Sequence, residues 1–207
     1  MCRSNSRFGW CCSLGPSVLA AGLVAAVPAL GADDGILTDL KLGLLDHDVA
    51  ILGGHTEHGV DVNAEALFHT FVPDPAVAGI SPALRWLLQP APHIGVDGNT
   101  GGYTSQLYFG LTWTANLNTG GVLWPDHAVF FAFGFGPAFN NGHHFAPDTS
   151  PHLSLGSNVL FHEYLELGYR ITPHISLSVY FDHSSNAGLA RYNAGLDNLG
   201  MRVGWHF

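Results

Sequence analysis

The sequence predicts an all-β fold, an eight-stranded antiparallel transmembrane β-barrel, and three observations carry that expectation. Apolar residues recur with period two over runs longer than the roughly five or six residues of an ordinary strand. The 207 residues are 47% hydrophobic but only 11% charged, against roughly 25% charged in globular domains. The chain also opens on a leader-like segment and closes on Trp205 and Phe207 within an alternating strand. A strand-final Phe is associated with outer-membrane assembly. It favours a membrane barrel over a soluble up-and-down barrel, whose lumen rather than exterior is apolar.

Composition removes several alternatives. Seven Lys and Arg against 16 Asp and Glu leave no basic footprint for nucleic acid. High hydrophobicity with little charge is the reverse of a disordered composition. No apolar stretch in the body of the chain reaches the ~20 residues of a spanning helix.

The first element is a secretory signal. Arg3 and Arg7 precede an apolar run at 18–27, and small residues surround Gly31 and Ala32. This order of basic, apolar and small residues predicts a signal peptide over 1–32, cleaved near 31/32, followed by a single barrel domain over 33–207. Cys2, Cys11 and Cys12 all lie in the leader, so the mature chain offers neither a disulfide nor a thiolate.

The strands follow in order. Leu40, Leu42 and Leu44 alternate with Asp39, Lys41 and Gly43, and Val60, Val62, Ala64 and Ala66 with Asp61, Asn63 and Glu65. A weaker third segment falls within 84–96, interrupted by Pro90 and Pro92. The clearest alternation comes next: Leu107, Phe109, Leu111, Trp113, Ala115 and Leu117 on one face, and Gln106, Tyr108, Gly110, Thr112, Thr114 and Asn116 on the other. Val129, Phe131, Phe133 and Phe135 repeat the device, with small residues between them, and a sixth strand covers 159–169. Ile175, Leu177, Val179 and Phe181 define the seventh, and Leu199, Met201, Val203, Trp205 and Phe207 the eighth. An even number of ~10-residue strands with one apolar face fits a transmembrane barrel. Glu65, Glu166, Arg170 and Arg202 share the inward parity and are expected to plug a lumen too narrow for a pore.

The chemistry lies near the C-terminus, in His183-Ser184-Ser185-Asn186-Ala187-Gly188-Leu189, followed by Asn193, Gly195 and Asp197. This stretch resembles the outer-membrane lipid A 3-O-deacylases, the acyloxyacyl hydrolase family. Their signature is His-x-Ser-Asn-Ala-Gly-Leu, then Asn-x-Gly and a catalytic Glu. The resemblance implies a barrel of this size, a lipid A or lipopolysaccharide substrate, and a location in the outer membrane of a Gram-negative bacterium among its lipids. It implies a histidine at His183, a nucleophile at Ser185 and an acid at Asp197, where Asp replaces the family's Glu.

The residues support the same reading. His183 and Ser185 continue the outward face of the seventh strand, because side chains at i and i+2 share a face. Asp197 has the outward parity of the eighth. Ten steps separate Ile175 from Ser185 and Asp197 from Phe207, roughly 33 Å in each case, which brings the three groups to similar height, facing the outer leaflet. Polar groups there are costly unless they act on something. An imidazole beside a hydroxyl serves as its base, and a carboxylate fixes the imidazole tautomer. Asn186, Asn193 and the Gly188 amide are the candidate oxyanion or supporting groups. Taken alone, Ser-Asn-Ala-Gly also suits an ordinary hairpin turn.

Glu163 is the alternative acid. With a turn at Thr172, Pro173 and His174, Ile171 faces Ile175 and Glu163 falls opposite His183; the competing readings are a shifted strand register and a strand already out in water. The pairs His143-His144 and His55-x-x-His58 lie in loop-like stretches without the partners of a zinc motif. They read as solvated or headgroup-contacting histidines, and the sequence gives no metal ligand and no cofactor. Two function classes remain: an ester hydrolase acting on lipid A, and a non-catalytic structural or adhesion barrel that keeps the motif as a turn.

Overall fold

The alternating segments become eight strands: β1 (Leu37–His47), β2 (Val60–Phe68), β3 (Ala91–Asn99), β4 (Gln106–Leu117), β5 (Val129–Asn140), β6 (Val159–Arg170), β7 (Ile175–Ser185) and β8 (Leu196–His206). Each pairs antiparallel with the next, and β8 pairs with β1 to close a barrel. Closure satisfies every strand edge, as a membrane-spanning sheet requires. The computed structural model describes residues 35–53, 55–117 and 129–207. The leader expected at 1–32 lies outside the described residues.

The third segment differs from expectation. Its first half forms a short helix, α1 (Pro82–Leu88), and β3 begins only at Ala91. Ser81 caps the helix, its hydroxyl accepting from the Leu84 N–H at 3.4 Å, and Pro82 follows at the first helical position. Both are helix-start signals. Two indole donors fasten α1 to the barrel: Trp86 Nε1 donates to the Thr114 carbonyl and Trp113 Nε1 to the Leu87 carbonyl, each at 2.9 Å.

The two faces of the wall separate as the period-two pattern requires. Leu42, Leu44, Leu165, Leu167, Val179, Met201 and Val203 are exposed on the outside. A continuous apolar band of this kind is a liability in water and a requirement in lipid. Inside, Arg202 is fully buried and donates to Glu65 at 2.9 Å and to Glu166 at 2.5 Å. Lys41 adds a second cation on Glu166 at 2.6 Å, and Tyr108 and Tyr164 donate to Glu65, each at 3.2 Å. The plug expected from Glu65, Glu166 and Arg202 is therefore present. Arg170 is not part of it, because it sits at the last position of β6, beyond reach of the central acids, and Lys41 takes its place. Gly134 makes room for this packing, since a Cβ there would stand 2.1 Å from the Tyr164 ring.

Candidate active site

β7 carries its outward parity through to its last residue. His183 and Ser185 are partly exposed on the face of Val179 and Phe181, while Asp182 and Ser184 are buried toward the lumen. Three loops, 48–59, 141–158 and 186–195, crowd this end of the barrel and convert an apolar wall into a polar site.

Register places Asp197 of β8 directly opposite His183. The imidazole Nδ1 donates to Asp197 Oδ1 at 2.5 Å, a short hydrogen bond to a carboxylate acceptor. The other oxygen, Oδ2, accepts three consecutive backbone N–H groups from the 48–59 loop: Ile51 at 3.0 Å, Leu52, and Gly53 at 3.1 Å. This concave run of amides is an anion nest. It leaves Asp197 with no exposed surface and fixes the one oxygen that meets the histidine. With Nδ1 engaged, Nε2 is the nitrogen left to exchange a proton with a substrate-side group.

The loop that forms the nest is itself tied down. Asp48, at positive φ, accepts from the Thr56 N–H at 2.6 Å and the Glu57 N–H at 2.9 Å. Glu57 is buried and gathers three segments: His47 Nε2 at 3.1 Å, and the N–H groups of Thr104 and Leu153 at 3.0 Å each. Burial alone would raise the Glu57 carboxyl, but these donors hold it down at about 2.

The candidate supporting residues divide by role. Asn186 donates to the carbonyls of Leu155 at 2.8 Å and Tyr192 at 2.6 Å. One amide hydrogen ties the 186–195 loop to the 141–158 loop and the other closes the 186–195 loop on itself, so the side chain acts as a tether in this arrangement. Asn193 accepts from the Asn186 N–H at 2.8 Å through its carbonyl oxygen, and its NH₂ has no partner among the described residues. The Gly188 N–H likewise has no partner among the described residues, and Gly188 follows Ala187 in the left-handed region. Gly195 lies against the imidazole edge: a Cβ there would stand 2.6 Å from His183 Cε1. Gly156 is equally constrained, with a Cβ position 1.9 Å from the Tyr192 carbonyl oxygen.

Glu163 pairs across β6 and β7 with His183, as the turn at 172–174 requires. It makes no hydrogen bond or ion pair among the described residues, and the imidazole turns to Asp197. The loop histidines His55, His58, His143 and His144 are exposed, and each also makes a local contact. His58 bonds His55 at 2.8 Å, His143 stacks on His152 at 4.4 Å, and His144 bonds Asn158 at 2.5 Å.

Beside Ser185 runs an apolar groove of about 410 Å³ lined by Phe135, Pro137, Val159, Phe161, Leu189 and Ala190. Phe161, the cross-strand partner of Ser185, and Asn186, its neighbour in the chain, both line the groove, which therefore runs next to the end of β7. Its volume lies in the ~300–1,000 Å³ range of small-molecule sites.

The amide nest that holds Asp197 left no signature in the sequence, because backbone donors depend on loop shape.

Together these features define a closed eight-stranded barrel whose hydroxyl, imidazole and carboxylate stand on the outer wall, away from the lumen. The family model for lipid A 3-O-deacylase (PagL) matches residues 81–206, more than half of the chain, and the protein belongs to that family. Among solved structures, the crystal structure of the outer membrane enzyme PagL is 16% identical with a TM-score of 0.58, covering 82% of this chain and 99% of that one. That similarity supports the barrel fold. Neisserial surface protein A is 8% identical with a TM-score of 0.46, covering 83% of this chain and 96% of its own. No curated protein matches the chain.

Proposed function

We propose that this protein is an outer-membrane ester hydrolase that removes the 3-position hydroxyacyl chain of lipid A, with Ser185 as nucleophile, His183 as general base and acid, and Asp197 as the orienting carboxylate. The observation that carries the reading is the His183–Asp197 hydrogen bond beside a serine, in a chain of this family. Asp197 holds Nδ1–H, so Nε2 takes the Ser185 proton as the oxygen attacks the ester carbonyl. The unengaged Asn193 amide and Gly188 N–H are the donors for the resulting oxyanion. Collapse returns the proton from Nε2 to the departing sugar hydroxyl and leaves the hydroxyacyl chain on Ser185. Water, deprotonated by the same nitrogen, then releases it as the free acid. The apolar groove beside Ser185 suits the acyl chain.

Family membership and the apolar outer band support an outer-membrane location. On this reading residues 1–32 are the export signal, residues 33–207 are the barrel, and the loop-rich end bearing the site meets the outer leaflet. The test is incubation of the purified barrel with lipid A and mass spectrometry of the products. Loss of one 3-hydroxyacyl chain is expected with the native protein. Ser185→Ala is expected to abolish it while heat-modifiable mobility on a gel is kept. Unchanged lipid A with native protein would leave a non-catalytic barrel as the better account.

A further inference from the structure

Behind the catalytic wall, on the lumen side of the barrel, lies a second polar cluster that the deacylase reading does not use. Asp97 of β3, His162 of β6 and Asp182 of β7 are 1%, 0% and 0% exposed. Their nearest ligand-type atoms all lie within 4.8 Å of one another. Each carboxylate has one oxygen fixed by an asparagine: Asn63 donates to Asp97 Oδ1 at 2.7 Å and Asn198 to Asp182 Oδ1 at 3.1 Å. Among the described residues, the remaining oxygen of each and both ring nitrogens of His162 have no hydrogen-bond partner, His162 Nε2 coming no nearer than 4.0 Å to Asp182 Oδ1. The ring itself is held by stacking on Tyr108 at 4.2 Å.

The neighbours point the same way. Gln106, paired in register with Asp97, has neither side-chain atom satisfied, and neither has the hydroxyl of Ser184, paired with His162. Buried polar atoms are normally satisfied, and several unsatisfied ones at one level mark a missing partner. Charge supports a cation. Lys41 and Arg202 are committed to Glu65 and Glu166 lower in the lumen, and no Lys or Arg pairs with Asp97 or Asp182 among the described residues.

We propose that Asp97, His162 and Asp182 form a binding site for one divalent transition-metal ion of the Zn²⁺ class, held inside the barrel directly behind His183 and Ser185. Two carboxylates match its charge, and mixed imidazole and carboxylate donors suit its coordination. The asparagines are the outer partners that orient such ligands. Tetrahedral nitrogen and oxygen ligands on one Zn²⁺ stand roughly 3.3–3.6 Å apart, so atoms within 4.8 Å of one another close on a single ion with side-chain shifts on the order of an ångström. Asp182 and Ser184 alternate with His183 and Ser185 along β7, so the ion braces the catalytic segment from behind.

The probe is Zn²⁺ itself. The barrel is refolded in detergent with Zn²⁺, passed through an EDTA-containing column and analysed for bound metal. About one zinc per chain is expected, with a higher unfolding temperature than protein refolded in EDTA. His162→Gln and Asp182→Asn are each expected to lower retained zinc by on the order of tenfold or more. A variant with His55, His58, His143 and His152 all changed to Gln is expected to keep it. Should Asp182→Asn fail to fold, Asp97→Asn replaces it, and the visible spectrum of the Co²⁺-loaded native protein reports nitrogen and oxygen ligation that His162→Gln perturbs. No retained zinc, or zinc lost with the loop histidines and kept by His162→Gln, would overturn the proposal in favour of buried water and shared protons.

Discussion

Glu163 on β6 and Asp197 on β8 stand on either side of His183, each in direct cross-strand register with it and with the same outward parity. From the strands alone the two carboxylates are equivalent. They differ in what the loops do to them. The 48–59 loop folds over Asp197 and aims three N–H groups at one of its oxygens, while Glu163 has no hydrogen bond or ion pair among the described residues. A preorganised carboxylate stabilises an imidazolium at no reorganisation cost at the moment of reaction, whereas a free one must first be ordered. In the proposed mechanism, then, the acid of this site is selected by a loop, on a wall that offers two candidates.

The substitutions that break this comparison have graded effects. Asp197→Asn removes the charge that fixes the His183 tautomer, and kcat for lipid A deacylation is expected to fall by about 10³–10⁴, with the barrel still heat-modifiable. Leu52→Pro deletes one donor of the nest without touching the acid, for an expected loss of about 10–100-fold. Asp197→Glu sharpens the contrast with the family pattern. The motif alone predicts that the longer side chain is tolerated, but here both oxygens of the shorter one are already at bonding distance. The extra methylene must displace either the loop or the ring, and a drop of about tenfold in kcat is expected. Glu163→Gln is expected to change turnover by less than about threefold, since no contact of its carboxylate is lost. Release of the hydroxy fatty acid under saturating substrate measures all four.

Much of this arrangement was legible in the sequence because period two transmits it. The parity that puts Val179 and Phe181 outside also puts His183 and Ser185 outside, and the short turn at 172–174 fixes Glu163 opposite His183. The plug was legible for the same reason, apart from Arg170, whose position at the strand end removes it from the central acids. The nest was not legible, because backbone amides carry no side-chain signal and their direction depends on positive φ at Asp48 and Ala50. Nor was the division of labour between Asn186 and Asn193, which depends on the docking of the 141–158 loop against the 186–195 loop. α1 was missed because Ser81-Pro82, a helix start, stood beside a pattern read as a weak strand.

The claim that the loop acts on His183 only through Asp197 is tested most directly by a double-mutant cycle on deacylation rate. Leu52→Pro is measured in the native background and again in Asp197→Asn. If the nest works by holding the carboxylate, its loss costs about 10–100-fold in the native background and nothing further once the charge is gone, giving strong non-additivity. Losses that multiply in the double variant would contradict the account and place the loop's contribution elsewhere in the site.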